Sequence, residues 1–262
     1  MYGPVRRALA ALTTGDDSQH FDLAAERIQH ALLEVSIPKA PGVQIGVHAE
    51  PARLVGGDYI DMFLAEDASL VLALGDASGK SLAAALNALM LRYLVRGLVM
   101  ALGTRALPRI VTHTNRVLVD DMHDGAFITF LLGVLDASTG ILRFVNAGHE
   151  PPLILPAGSD AVGTLDTHDI VLGVERVTHY VEEACQLRPG DIALFYTDGL
   201  TEASSKTGER YTMERLKEAL MTKRGLEAQS LADAIYDDVK VYSGGTMRDD
   251  ATVAVVRLKS LS

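Results

Sequence analysis

Aspartate recurs in this chain where apolar, strand-like runs break off. Asp58 follows Gly56-Gly57, Asp76 ends the run that begins at Val71, Asp198 stands in Tyr196-Thr197-Asp198-Gly199, and Asp249 and Asp250 precede Ala251-Thr252. An ionised aspartate is short and only accepts hydrogen bonds. Several of them gathered at one sheet edge repel one another unless a cation lies between, and oxygen donors select hard divalent ions such as Mg²⁺ and Mn²⁺. The chemistry these residues suit is metal-centred hydrolysis. Ser78 offers a hydroxyl nearby, but no histidine and aspartate accompany it at a nucleophile elbow, so it is not read as a nucleophile.

The elements that must position these residues show as periodicities. Residues 43–49 and 59–64 alternate with strand period on either side of the Gly56-Gly57 bend, and with the run from Val71 they read as a three-stranded antiparallel meander. From 81 to 102 the pattern is helical and apolar on most sides, which predicts a helix buried between layers. Pro108 opens a second helix through 119. Residues 127–136 and 141–149 flank Ala137-Ser138-Thr139-Gly140 and read as a hairpin. Further strands are expected over 177–187, 191–197 and 251–258, helices over 211–220 and 229–241, and a polar loop over 158–169. Many sequential strands with few apolar helices point to an α+β fold, most simply two antiparallel sheets face to face with helices outside. Upstream, Phe21, Ala24, Ile28, Ala31 and Val35 recur at three- and four-residue steps, giving an amphipathic helix over 21–35 that Pro38 and Pro41 end. This stripe either packs on its own domain or forms a dimerising, signal-transmitting helix. The chain thus divides into an N-terminal arm with that helix over 1–40 and a main domain over 41–262.

Composition narrows the classes. The 262 residues, 48% of them hydrophobic, suit one large domain. Acidic residues number 34 against 24 basic ones, and a formal net charge of −10 disfavours a nonspecific nucleic-acid or anionic-membrane binder. The single cysteine, Cys185, rules out an intramolecular disulfide and a zinc–cysteine cluster. Thr13-Thr14-Gly15-Asp16-Asp17 arrives too soon after Arg6-Arg7 for a signal-peptide apolar region, and no window reads as a continuous apolar membrane span. A cytoplasmic protein without membrane or nucleic-acid partners is expected.

Five motifs carry a family resemblance. Val55-Gly56-Gly57-Asp58-Tyr59-Ile60-Asp61, Gly75-Asp76-Ala77-Ser78-Gly79-Lys80, Asn146-Ala147-Gly148-His149-Glu150-Pro151-Pro152, Tyr196-Thr197-Asp198-Gly199-Leu200-Thr201-Glu202 and Asp249-Asp250-Ala251-Thr252 closely resemble, in this order, those of the bacterial SpoIIE-like branch of the PPM (protein phosphatase 2C-like) Ser/Thr phosphatases. The resemblance implies a four-layer αββα sandwich with two Mn²⁺ or Mg²⁺ ions at one edge and direct hydrolysis by water, without a phosphoenzyme. It implies that Asp76 bridges both ions, that Asp58 and the backbone carbonyl of Ala77 hold one, and that Asp198 and Asp249 hold the other. Asp61 and Asp250 stay open between orienting the ligands, binding a third, weaker metal, and plain solvation. Arg53 is a phosphate-binding candidate, one residue out of register with the family's arginine. The Asp-Gly-His of the eukaryotic branch is replaced here by Asp76-Ala77-Ser78, so its histidine general acid is absent, and His149 is read as structural. Gly79 and Gly199 read as turn glycines.

The activity so implied is that of a metal-dependent phosphoprotein phosphatase acting on phosphoserine or phosphothreonine. Its expected substrate is a STAS-type anti-sigma-factor antagonist in bacterial partner switching, with the 21–35 helix as a homodimer element. The rivals are a non-catalytic phosphoprotein-binding module of the same fold and a metal-dependent phosphodiesterase or nuclease, which the acidic charge disfavours.

Overall fold

The computed structural model describes residues 36–52, 56–79, 82–122, 125–166 and 169–259. The helix expected over 21–35 lies outside them, with most of the N-terminal arm, and so do Arg53 and Lys80. Two five-stranded sheets form the centre. One runs in the order β2 (Asp58–Leu64), β3 (Leu70–Ala77), β4 (Ile128–Asp136), β5 (Ile141–Ala147) and β8 (Glu183–Gln186). The other runs β1 (Val43–Glu50), β10 (Ala251–Leu258), β9 (Ile192–Tyr196), β6 (Leu153–Leu155) and β7 (Gly163–Thr164). Helices α1 (Leu82–Leu102) and α2 (Leu107–Asp121) lie on the first sheet, α4 (Thr212–Lys223) and α5 (Ala228–Tyr242) on the second, and a single turn, α3 (Asp198–Thr201), follows β9.

Strand alternation sets the layers. In β3, Leu70, Leu72 and Leu74 point between the sheets, where they meet Ile60, Met62, Phe195 and Val256. The intervening Val71 and Ala73 point outward onto Leu91 and Val95 of α1 and Ile110 of α2. On the other sheet, Leu194, Val253 and Val255 pack on Leu231 and Ile235 of α5. This is the expected αββα sandwich, and the β4–β5 hairpin also forms as read: Asp136 caps its turn by accepting the Ser138 N–H at 2.9 Å.

Three elements differ from expectation. The first strand does not join a meander with β2 and β3. β1 pairs with β10 in the opposite sheet, Val47 opposite Ala254, so consecutive strands β1 and β2 belong to different sheets. Its alternation fixed a strand but not a partner, because Val43, Ile45 and Val47 fill the intersheet layer from either sheet. The strand expected over 177–187 shortens to β8. Val177 and Val181 are exposed, and the Val181 N–H is taken by the Asp169 carboxylate at 2.8 Å rather than by a ladder. Finally, α1 is an outer layer, not a helix between layers. Ala84, Ala85, Ala88, Leu91, Val95 and Val99 are buried on the sheet, while Tyr93 and Met100 are 65% and 75% exposed. α1 is long and apolar enough to cross a membrane by length and composition alone; in the fold, its buried face is spent on the sheet and its Arg92 and Arg96 pair with Asp61.

Candidate metal-edge active site

The period of two that sends Ile60, Met62, Leu72 and Leu74 between the sheets also sends Asp58 and Asp76 there, at the end where apolar residues give way to polar ones. The two aspartates are directly opposite in the β2–β3 ladder, the next residue across on β4 is Thr129, and Asn146 of β5 lies opposite Leu131. From the facing sheet, Thr197 and Thr252 reach over. Both hydroxyls donate to the same oxygen of Asp58, Oδ2, at 2.8 and 2.7 Å, and Thr252 N–H donates to Thr197 Oγ1 at 3.0 Å. One carboxylate thus stitches the two sheets together at the site. Burial first, and then the neighbouring charge of Asp76, raises the Asp58 carboxyl well above the usual carboxylate range, against the two threonine bonds.

Close approaches fix the rest. A Cβ at Gly57 would stand 2.4 Å from the Ala77 carbonyl oxygen and 3.1 Å from Asp76 Oδ1, so only glycine lets the carbonyl and the carboxylate share this notch. A Cβ at Gly199 would stand 1.8 Å from the Asp250 carbonyl oxygen. Gly199 is therefore required by contact, not by a turn, and this contact places Asp198 beside the Asp249-Asp250 pair. Gly79 is the turn glycine expected, with φ of +94°.

Asp250 accepts from the N–H groups of Ala52 and Gly57 at 2.9 and 2.7 Å, which ties down the loop ahead of Asp58. Asp61, 1% exposed, faces the helix layer and not the site, and pairs with Arg96 at 2.5 and 2.7 Å and with Arg92 at 3.2 Å. Of the alternatives open for these two residues, Asp250 orients the site loop and Asp61 joins β2 to α1. His149 is buried, and burial, against a hydrogen bond to the Tyr196 main chain, lowers its pKa to about 4, which favours the neutral imidazole. Ser78 is structural: its Oγ accepts the Phe127 N–H at 3.0 Å. Glu150 lies near Asp198, and burial followed by the charges of Asp198 and Glu202 raises its carboxyl. Thr197, Thr252 and Glu150 had no role in the sequence reading. The threonines stand inside two of the five motifs, but only the cross-sheet geometry shows what they hold.

Among the described residues, no group of three or more His, Cys, Asp or Glu side chains is placed so as to hold a metal ion. The donor chemistry still fits a hard cation: two facing carboxylates and a backbone carbonyl are what Mg²⁺ takes when it keeps several waters. A cavity of about 440 Å³ lined by Phe63, Leu64, Val99 and Met100 lies at the far end of β2, roughly 20 Å along the strand from Asp58, and is no part of this edge.

Fold and edge together define a PP2C-type phosphatase domain, an α+β sandwich of two antiparallel sheets with carboxylates at one end. Residues 66–259 match the family described as Stage II sporulation protein E (SpoIIE), and the chain belongs to that family. It is 28% identical to the phosphoserine phosphatase RsbU of Bacillus subtilis over 238 residues, covering 90% of this chain and 69% of RsbU. A crystal structure of RsbU and RsbW domains from Mycobacterium tuberculosis superimposes with a TM-score of 0.74 at 25% identity, over 89% of this chain and 64% of that one. The PP2C domain of SiaA from Pseudomonas aeruginosa gives 0.75 at 21% identity, over 96% and 99% of the two chains, which bears on the fold alone. PP2C-type phosphatases are metal-dependent.

The Gly57 notch is open to test. Gly57→Ala must displace either its own backbone or the Ala77 carbonyl. It is expected to lower stability by about 2 kcal/mol and to raise the divalent metal needed for activity, read by thermal denaturation and metal titration. Native behaviour in both would show that the notch is not tight.

Proposed function

We propose that the chain is a metal-dependent phosphoprotein phosphatase hydrolysing phosphoserine or phosphothreonine. The observation that carries this reading is the facing pair Asp58 and Asp76 with the Ala77 carbonyl turned into the Gly57 notch. In this reading, Asp58, Asp76 and Ala77 would hold one Mn²⁺ or Mg²⁺ ion, and Asp76, Asp198 and Asp249 would hold a second. Bound cations would supply positive charge for the phosphoryl oxygens and acidify water at the phosphorus. The protein's part is positional: Thr197 and Thr252 fix the Asp58 carboxylate, Asp250 fixes the loop that leads to it, and Gly199 seats Asp198 against Asp250. Arg53 stays the candidate for gripping substrate phosphate, since a guanidinium forks onto phosphate oxygens.

The relationship to RsbU supports a bacterial partner-switching setting, with a phosphorylated STAS-type anti-sigma-factor antagonist as substrate. Within the same proposal, the protein acts in the cytoplasm, residues 41–262 form the phosphatase domain, and the 21–35 helix joins two copies. The test is release of inorganic phosphate from a phosphoserine peptide and from a phosphorylated STAS-domain protein, with Mn²⁺, with Mg²⁺ and with chelator. Turnover that chelator abolishes and Mn²⁺ or Mg²⁺ restores is the expected result. Tight binding of the phosphoprotein without turnover at any metal concentration would favour a non-catalytic binding module.

A further inference from the structure

Thr129 stands opposite Asp76 in the β3–β4 ladder, with its side chain on the intersheet face that Leu131 and Leu135 also take. It therefore stands beside the Asp76 carboxylate, one strand further from Asp58. After β5 the chain turns back: Gly148 bridges to Phe130, the neighbour of Thr129, and His149 Nδ1 comes within 2.8 Å of Thr129 Oγ1. The ring is not there by accident of a mobile loop. Asn146 clamps the main chain of His149 at both ends, accepting its N–H at 2.7 Å and donating to its carbonyl at 3.0 Å. Asn146 itself belongs to the polar end of the intersheet layer, opposite Leu131. The Asn146-Ala147-Gly148-His149 motif thus builds a rigid arm whose tip is an imidazole nitrogen on the threonine beside Asp76.

We propose that Thr129 and His149 are positioning residues for Asp76: the hydrogen bond between His149 Nδ1 and Thr129 Oγ1 holds the threonine side chain in one place against the Asp76 carboxylate. A threonine side chain alone would choose among three staggered positions, and a bond to an imidazole whose main chain is clamped selects one of them. The carboxylate so held presents its remaining lone pairs in a fixed direction, and partners of this kind set ligand orientation and metal affinity. The inference rests on the reading of Asp76 as a metal ligand.

The test is Mn²⁺ binding to the full-length chain by titration calorimetry, alongside thermal denaturation of the metal-free protein. Thr129→Val is expected to weaken Mn²⁺ binding about tenfold while leaving the melting temperature close to native, and Thr129→Ser to restore native affinity. His149→Leu should weaken binding to the same extent. The Thr129→Val/His149→Leu double variant should be no weaker than either single one, because both interrupt one chain of hydrogen bonds. Native affinity in Thr129→Val, or losses that multiply in the double variant, would overturn the inference; should His149→Leu not fold, the valine and serine variants at 129 decide it alone. Asp76→Asn separates the two levels. If it too binds Mn²⁺ like the native protein, the ligand reading itself fails; if it alone loses binding, only the role of Thr129 and His149 falls.

Discussion

Asp76→Asn is expected to abolish phosphatase activity while the protein stays folded: kcat/KM for a phosphoserine peptide should fall at least about 10³-fold, and added divalent metal should not restore it. The size follows from the place of the residue. Asp76 faces Asp58 across the ladder, shares the Gly57 notch with the Ala77 carbonyl, and is the carboxylate proposed to serve both ions. An amide keeps the shape but loses the charge and one acceptor, so the loss falls on metal binding and not on packing. The same substitution has an opposite, measurable consequence for stability. In the metal-free protein, burial and the charge of Asp76 raise the Asp58 carboxyl above its usual range. A carboxyl raised on folding holds its proton more tightly in the folded state, so stability is lost as pH rises through the raised value. Asparagine at 76 removes the repelling charge, and metal-free Asp76→Asn is therefore expected to melt at or above the native temperature at neutral pH. A variant that melted far lower would show that Asp76 holds the fold, and its inactivity would say nothing about metal.

Which parts of this arrangement were legible in the sequence follows from what sets them. Asp58, Asp76, Asp198 and Asp249 stand at or beside the ends of strands whose apolar residues announce themselves, and a residue at a strand end is placed by the strand. The layer each strand faces was legible for the same reason, since alternation is local. Partner choice is not local. β1 alternates just as a meander strand would, and what sends it to β10 is the pairing of Glu50 with Ala251 and of Val43 with Leu258, residues about two hundred apart. The exposed flank of α1 was illegible because apolar composition does not reveal which side lacks a neighbour: Met100 reads like Val99, yet only Val99 meets the sheet. Glycines divide in the same way. Gly79 sits in a turn and was read correctly, whereas Gly57 and Gly199 are required by a carbonyl oxygen from a distant segment, and Thr197 and Thr252 gain their role from Asp58 on the opposite sheet.

Asp61 shows how a motif aspartate can stand three residues from a proposed ligand and serve something else, and the prediction drawn from it is the largest for stability. On a strand, Asp58 and Asp61 point to opposite faces. Asp58 meets the facing sheet, and Asp61 meets α1, where Arg96 clasps it with two bonds and Arg92 adds a third. Arg96 also lies over the Phe63 ring, 4.8 Å from its centroid. Removing the carboxylate by Asp61→Ala breaks the buried pair between Asp61 and Arg92, while the 39% exposed side chain of Arg96 turns out to water. The cost expected is about 3 kcal/mol, the low end for a broken buried pair because one partner escapes. For a chain of this size that is a fall in melting temperature of roughly 6–12 °C. Replacing all three residues by apolar ones, Asp61→Leu with Arg92→Met and Arg96→Met, leaves no orphaned charge and is expected to recover most of the loss. The triple variant also decides what the residue is for. A stable triple variant with native Mn²⁺ affinity would place Asp61 wholly in the joint between β2 and α1. A stable triple variant that bound Mn²⁺ far more weakly would mean that the joint reaches the site through Asp58, three residues along the same strand.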